Sequence, residues 1–325
     1  MKKWKQLFYN KSRMKKNIIS SLLSVFILFS CNSSDENKLP DSDSEIINTP
    51  FTEGFVEMGI FSNDIDLGKL IGKIDFSKAN IKEQYEKLIA HDADVKAIFD
   101  LIANMGNQNP LVAWAVTLNI AECTYNIKNE EVLGKVRGFG WSMDNYYNKS
   151  QDQVGLYLET LVQTDKIIEQ DKKIYSSYKP SENKGSGAIN DVDFSQFNRE
   201  VKKDKQTILG YECDIVVYTP KIKDENAPMQ LQKLVVYTSP LFSNVINFAH
   251  PFYLEEDQGI LRLDVYYLNN ETPTLVMKPK EIKEIKLTVH DLTNRATIPV
   301  YTQDDINWGF KALAIMMSGW GMLEK

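Results

Sequence analysis

The stretch that decides the fold is ILRLDVYYLNNETPTLVMKPKEIKEIKLTVH, residues 260–290. In two parts of this stretch every second residue is apolar, so the apolar residues of each part lie on one face of an extended chain. The two sets are Leu261, Leu263, Val265 and Tyr267, and then Ile285, Leu287 and Val289. A period of two is typical of a strand with one buried face. The strands predicted here are Ile260–Leu268, Thr272–Met277 and Ile282–His290.

Strand-like segments of the same kind fill most of the chain after Pro110. They are Leu111–Tyr125, Glu131–Phe139, Gln153–Val162, Lys166–Tyr175, Tyr211–Tyr218 and Leu231–Thr238. Short loops without βα alternation predict a mainly β (α+β) fold with an antiparallel sheet of about eight strands. The flexible connection Ser176–Asp191 is either a loop of that sheet or a boundary between two β-rich domains.

Two helical regions interrupt the strands. Residues 77–106 are predicted to be a helical insertion, in which Asn80 and Glu83 form a capping box and a second helix starts at Asp92. A C-terminal helix is predicted at 304–318. Its apolar residues lie on both sides: Ile306, Phe310, Leu313 and Met317 on one, Trp308 and Ile315 on the other. Such a helix must be covered on most of its circumference, which favours a curved sheet or half-barrel that wraps the helices.

The N-terminus resembles a lipoprotein export signal. Lys15 and Lys16 precede an apolar run, residues 18–29, that is too short to span a bilayer and ends at Leu28-Phe29-Ser30-Cys31. This predicts a signal peptide at 1–30 and acylation of Cys31, by palmitate for example, with the lipid as membrane anchor. The polar residues 31–50 predict a disordered tether, and residues 51–325 the β-rich domain. The expected location is the outer membrane of a Gram-negative bacterium, facing the periplasm or the cell surface.

Composition limits the classes of partner. Residues 1–30 hold seven Lys/Arg and no Asp/Glu, so the mature chain has 31 basic and 44 acidic residues and a net charge of −13. Such a balance disfavours binding to nucleic acid. The three histidines lack metal-ligand spacing, and no nucleophile, phosphate-loop or dinucleotide motif is present. We therefore expect no metal, no cofactor, no catalytic residue and a non-enzymatic protein.

Three further side chains are candidates for specific roles. Cys123 and Cys213 lie in predicted strands, where each could be a buried free thiol or the two could form a disulfide. Trp141 is flanked by Gly140 and Ser142 and stands before the polar run Asp144–Asn148. These neighbours predict a loop and make Trp141 the best candidate for an exposed aromatic residue.

Two short motifs carry a family resemblance. TILGYEC at Thr207–Cys213 and VVYT at Val235–Thr238 resemble a family of Gram-negative lipoproteins and periplasmic proteins of unknown function. That family is similar in its strand meander to the LolA-like lipoprotein-carrier half-barrels. The resemblance covers roughly residues 51–301, with 77–106 as an insertion, and implies a half-barrel that binds lipid. Within the motif, Gly210 favours a turn and predicts that Tyr211, Cys213, Ile215 and Val217 alternate onto one buried face.

Three functions remain open from the sequence. The first is a membrane-tethered binding protein whose concave sheet holds an apolar ligand, such as a lipid or acyl chain, or a partner protein. The second is a surface protein associated with polysaccharide, either a glycan-binding accessory or a hydrolase whose carboxylates the sequence does not single out. The third is a structural or interaction protein in which the helices fill the concavity. An apolar pocket under the helices would favour the first function, and an exposed aromatic strip the second.

Overall fold

The computed structural model describes residues 46–78, 80–163, 167–182, 196–222, 231–249, 256–267, 271–302 and 306–321. The predicted signal peptide, Cys31 and the tether up to residue 45 lie outside these ranges. Within them, no helix is long and apolar enough to cross a membrane.

The described part of the chain is mainly β and contains a large open sheet of thirteen strands. They are β1 Glu53–Ser62, β2 Ile65–Asp66, β3 Ala121–Lys128, β4 Glu131–Gly138, β5 Trp141–Asn148, β6 Gln153–Thr160, β7 Lys173–Tyr178, β8 Phe197–Ile208, β9 Tyr211–Pro220, β10 Leu231–Ser243, β11 Gln258–Tyr267, β12 Leu275–Glu284 and β13 Val300–Tyr301. Their order is β13-β7-β6-β5-β4-β3-β1-β12-β11-β10-β9-β8, and β2 pairs with β1. The sheet is mixed because β13 runs parallel to β7.

Strand β1 joins two antiparallel meanders into one sheet. Strands β3 to β7 form the first meander and β8 to β12 the second, and β1 pairs with β3 on one side and β12 on the other. Of the connection predicted at 176–191, residues 176–178 belong to β7, and residues 183–195 lie outside the described ranges. Independent folding of two halves stays a prediction.

In the described residues, five α-helices accompany the sheet: α1 Ile81–His91, α2 Ala93–Gln108, α3 Pro110–Leu118, α4 Val245–Ala249 and α5 Ile306–Met316. Asp92 caps α2, because its side chain accepts hydrogen bonds from the backbone of Asp94 and Val95 at 3.1 Å. Asn80 makes no such bond to α1, so the predicted capping box is absent there. Helices are nevertheless present within the predicted region 77–106 and extend beyond it, while its being an insertion stays a prediction.

The main core lies between the helices and one face of the sheet. Met58, Cys123 and Val136 point from β1, β3 and β4 into the same apolar cluster as Val95 and Ile98 of α2. The short 3₁₀ helix Leu67–Lys73 lies between these layers and contributes fully buried leucines and isoleucine. Because alternate residues point to opposite faces, the neighbours of these core residues form a second face, which we call the outer face.

Predictions at three places along the strands are wrong. Leu111–Leu118 forms helix α3, since proline is favoured at a first helical position, and the strand starts at Ala121. The loop predicted at Trp141 from its neighbours up to Asn148 is instead strand β5. The predicted strands after Tyr267 form the single strand β12, and the chain leaves the sheet at Ile285, which is exposed together with Val289.

Two predictions of burial are also wrong in part. The C-terminal helix is not covered on both sides, because Phe310 is 51% exposed while Trp308, Ala312 and Ile315 are buried. Both sides of this helix are apolar, so its periodicity could not identify the buried side. On β9 the buried positions pass from Tyr211 and Cys213 to Val216 and Tyr218, not to Ile215 and Val217. The partner strand β8 changes register between Val201 and Lys205, which shifts the alternation.

Candidate functional site

A segment that we call the strap, residues 285–299, crosses the outer face after β12. The backbone N–H of Leu287 donates to Glu53 at 2.8 Å, and the side-chain amide of Asn126 donates to the carbonyl oxygen of Asp291 at 2.7 Å. Leu287 and Leu292 pack against Leu133 in a small apolar cluster separate from the main core. The strap thus lies over β3 and β4, and the chain beyond it forms β13 beside β7.

Arg295 of the strap is fixed to the outer face by a bidentate ion pair. Its Nε lies 2.6 Å from Oδ2 of Asp144, and its Nη2 lies 2.9 Å from Oδ1. Nη1 donates to Glu159, and the guanidinium stacks over the ring of Tyr157 at 4.4 Å. Asp144 on β5 is opposite Tyr157 on β6, which explains why these groups converge. The side chain of Asp144 is only 7% exposed, so Arg295 provides the charge that balances it.

Two groups of this cluster, Arg295 and Tyr157, have raised pKa values. The hydrogen bond to Asp144 raises the pKa of Arg295, which stays protonated. Burial, followed by the hydrogen bond to Glu159, raises the pKa of Tyr157 to about 12. Ser142 Oγ donates to Oε1 of Glu159 at 3.0 Å. Both carboxylates, Asp144 and Glu159, therefore accept hydrogen bonds within this cluster.

Beside the strap lies an open cleft of about 320 Å³. Its lining comes from β4, β5 and the strap: Lys135, Val136, Arg137, Ser142, Met143, Asp144, Thr293 and Arg295. Lys135 and Arg137 are exposed and lie two residues apart on one strand, so they project from the same face. In the ranges given above, neither forms an ion pair, whereas Arg295 is already neutralised. This arrangement can bind an anionic group.

The residues predicted from sequence lie elsewhere. Trp141 is 3% exposed in β5, so the predicted exposed aromatic is wrong. Its indole ring covers Gly138 of the paired strand β4, where a Cβ atom would overlap the ring. Because Gly138 has no side chain, the indole of Trp141 has space to be buried over it. The polar residues next to Trp141 in the sequence do not indicate this burial.

Cys123 and Cys213 are both buried free thiols, so the alternative of a disulfide between them does not occur. They lie on β3 and β9, five strand spacings apart in the sheet order, or roughly 24 Å along the sheet at about 4.8 Å per strand. Burial raises the pKa of each thiol to about 12. Cys31 lies outside the described residues. Within them, no group of three or more His, Cys, Asp or Glu side chains could hold a metal ion.

Sequence reasoning missed the residues that form the cleft. The only available signal was the pair Lys135 and Arg137, which alternate with apolar residues on a predicted strand. Arg295 gave no signal, because its partner Asp144 is 151 residues away in sequence. The alternation of Lys135 and Arg137 on β4 could have predicted a basic surface on that strand. It could not have predicted that the strap lies over this surface.

No protein-family model and no curated protein matches this chain. Among solved structures, it is similar to PNGF-II in two crystal forms. The P21 form has a TM-score of 0.36 at 12% identity, over 60% of this chain and 30% of PNGF-II. The C2 form has a TM-score of 0.31 at 11% identity, over 58% and 31%. This chain thus spans about a third of the length of PNGF-II, and a likeness at this level carries no argument about function.

Proposed function

We propose that this chain is a lipid-anchored, non-enzymatic binding protein of the cell envelope, whose ligand carries an anionic group bound in the cleft beside the strap. The observation that carries the proposal is the exposed pair Lys135 and Arg137, both without an ion pair in the described residues, on the wall of that cleft. In an acidic protein, unpaired cations at a concave site favour a carboxylate or sulfate ligand.

The apolar-ligand alternative has less support from the packing. In the proposal, the open sheet is a half-barrel around the helices, as the LolA-like resemblance implies. Leu70 and Ile71 of the 3₁₀ helix and Ile98 of α2 are fully buried against the sheet. Burying each such side chain contributes about 1.5–3 kcal/mol, so a lipid would have to replace these contacts to enter. The helices therefore serve better as permanent core than as a lid over a lipid cavity.

The anchor in this proposal is an acyl group on Cys31. Replacing the thiol by Cys31→Ser should release the protein from membranes, since the acyl group on Cys31 is the anchor in this proposal. Outer-membrane and inner-membrane fractions should be compared. Persistent membrane association of the Cys31→Ser variant after a high-salt wash would argue against lipidation, and inner-membrane protein alone would argue against outer-membrane sorting.

Calorimetric titration with galacturonate tests the cleft, with galactose as the neutral control. A single anionic group held by two exposed cations should bind with Kd on the order of 1 mM. The variant Lys135→Gln/Arg137→Gln should lose this binding. The matched control is Lys82→Gln/Lys87→Gln on α1, which removes two exposed charges away from the cleft. Equal binding of galactose, or unchanged binding by the cleft variant, would refute the proposal.

A further inference from the structure

A second set of cations lies on the outer face beyond the cleft, each over an aromatic ring. Lys278 Nζ is 4.8 Å from the centroid of Phe61, and Lys233 Nζ is 4.2 Å from that of Tyr266. The guanidinium of Arg262 is 4.9 Å from that of Tyr237. We call these residues the strip: Phe61, Tyr237, Tyr266, Lys233, Arg262 and Lys278. All three rings are partly exposed, as is each cation.

Strand register places the strip on the same face as the cleft. Arg137 is opposite Glu122, whose neighbour Cys123 points into the core, and Lys278 is opposite Gly59, whose neighbour Met58 also points into the core. On β11, Arg262 is opposite Tyr237, between the buried residues of that strand. The two basic sites therefore share one face of the sheet.

The spacing of the cations matches a long ligand better than a small one. Strand β4, which carries the cleft cations, is three strand spacings from β12, which carries Lys278, and five from β10, which carries Lys233. At about 4.8 Å per strand these are roughly 14 Å and 24 Å along the sheet. A single acidic group reaches one of these cations, whereas a chain with repeated acidic groups can contact all of them.

The charges of the strip are available to a ligand. In the described part of the chain, neither Lys278 nor Lys233 forms an ion pair, whereas Arg262 is held by Asp264 at 2.7 Å. Two acidic groups on this face, Glu57 and Asp66, share the single charge of Lys280, at 2.9 and 3.6 Å. Glu122 is beside Arg137, whose charge partly offsets the rise that burial causes in the pKa of Glu122. Among the described residues, the strip thus keeps two lysines beside aromatic rings without an ion pair, and the charge of Lys278 also acts on the nearby Asp264.

We propose that the cleft and the strip form one extended site for an acidic polysaccharide, a chain of uronate sugars whose carboxylates pair with these cations. This inference rests on the proposed function, because it extends the same anion site. Pyranose rings present apolar C–H faces that pack on partly exposed aromatic side chains, while their carboxylates reach lysine. An acidic peptide offers the charge without those rigid faces, so the aromatic content of the strip favours the glycan.

The test measures affinity against ligand length with the intact protein. Galacturonate and its oligomers of increasing length are titrated into the parent chain, a strip variant Lys233→Gln/Lys278→Gln and the α1 control Lys82→Gln/Lys87→Gln. Glutamine keeps most of the aliphatic stem over each ring, so we expect the melting temperature of the strip variant to equal that of the parent. Thermal melting checks this. An oligoglutamate of equal charge is the competing ligand.

We expect the affinity of the parent chain to rise by at least about tenfold from monomer to the longest oligomer. The strip variant should lose most of this gain while it binds the monomer as the parent does, and the control should keep the gain. Monomer binding without a length gain, or a length gain that survives in the strip variant, would overturn the extended site and leave the proposed function standing. Absence of all binding would refute both. Equal length-dependent binding of oligoglutamate would overturn the assignment to a glycan.

Discussion

Removing the guanidinium by Arg295→Ala tests whether the ion pair at Asp144 holds the strap. The variant loses two charge-assisted hydrogen bonds to Asp144 and leaves a carboxylate that is 7% exposed without its partner. Hydrogen bonds to charged groups contribute about 1.5–3 kcal/mol each. The side chain of Arg295 is 42% exposed, so water can replace part of the stabilisation that these two hydrogen bonds provide. We therefore expect the free energy of unfolding to fall by about 2 kcal/mol.

Urea denaturation followed by circular dichroism gives this free energy, provided that the slope against urea concentration is unchanged. Lys179→Ala is the control, because its ion pair with Glu182 at 2.8 Å is exposed and should contribute little to stability. In the Arg295→Ala background, Asp144→Asn removes the unbalanced buried charge and should recover about 1 kcal/mol. A loss from Arg295→Ala no larger than that of the control, or no recovery in the double variant, would refute the reasoning.

Three further predictions follow from burial. Trp141→Ala should lower the free energy of unfolding by about 3–5 kcal/mol in urea titrations, because a 3% exposed indole leaves a cavity over Gly138; a loss below 1 kcal/mol, which is roughly that of an exposed site, would contradict its burial. Cys123 and Cys213 should not react with a thiol reagent until the protein unfolds, and the unfolded Cys31→Ser variant should then yield two thiols; rapid reaction of the native protein would exclude their burial. The raised pKa of Tyr157, about 12 against an ordinary value near 10, stabilises the fold fully below pH 10, and this contribution should be lost as pH rises from about 10 to 12; a difference in phenol absorbance between the parent and Tyr157→Phe that titrates near pH 10, with equal stability of the two at both pH values, would contradict the shift.

The candidate site could be predicted only in part. Lys135 and Arg137 alternate on a predicted strand, so their common face follows from the period of two alone. That Arg295 closes one side of a cleft near them depends on the path of residues 285–299, which the sequence pattern assigned partly to a strand. The apolar alternation of Ile285, Leu287 and Val289 does exist, but only Leu287 finds an apolar partner, in a small cluster on the outer face. Periodicity shows that one face of a segment is apolar; it does not show what that face contacts.

The sequence by itself determined the mainly β class, most strand positions and the existence of helices at 77–106 and near the C-terminus, because alternation and 3.6-residue periodicity are local properties. It also placed the start of α2 at Asp92, whose side chain the structure shows to accept from backbone N–H groups only two and three positions away. The tertiary structure decided the rest: the central place of β1, the burial of Trp141 over Gly138, the separation of the two thiols and the pairing of Arg295 with Asp144. Each of these depends on which distant strands become neighbours, and local residue patterns carry no information about that choice.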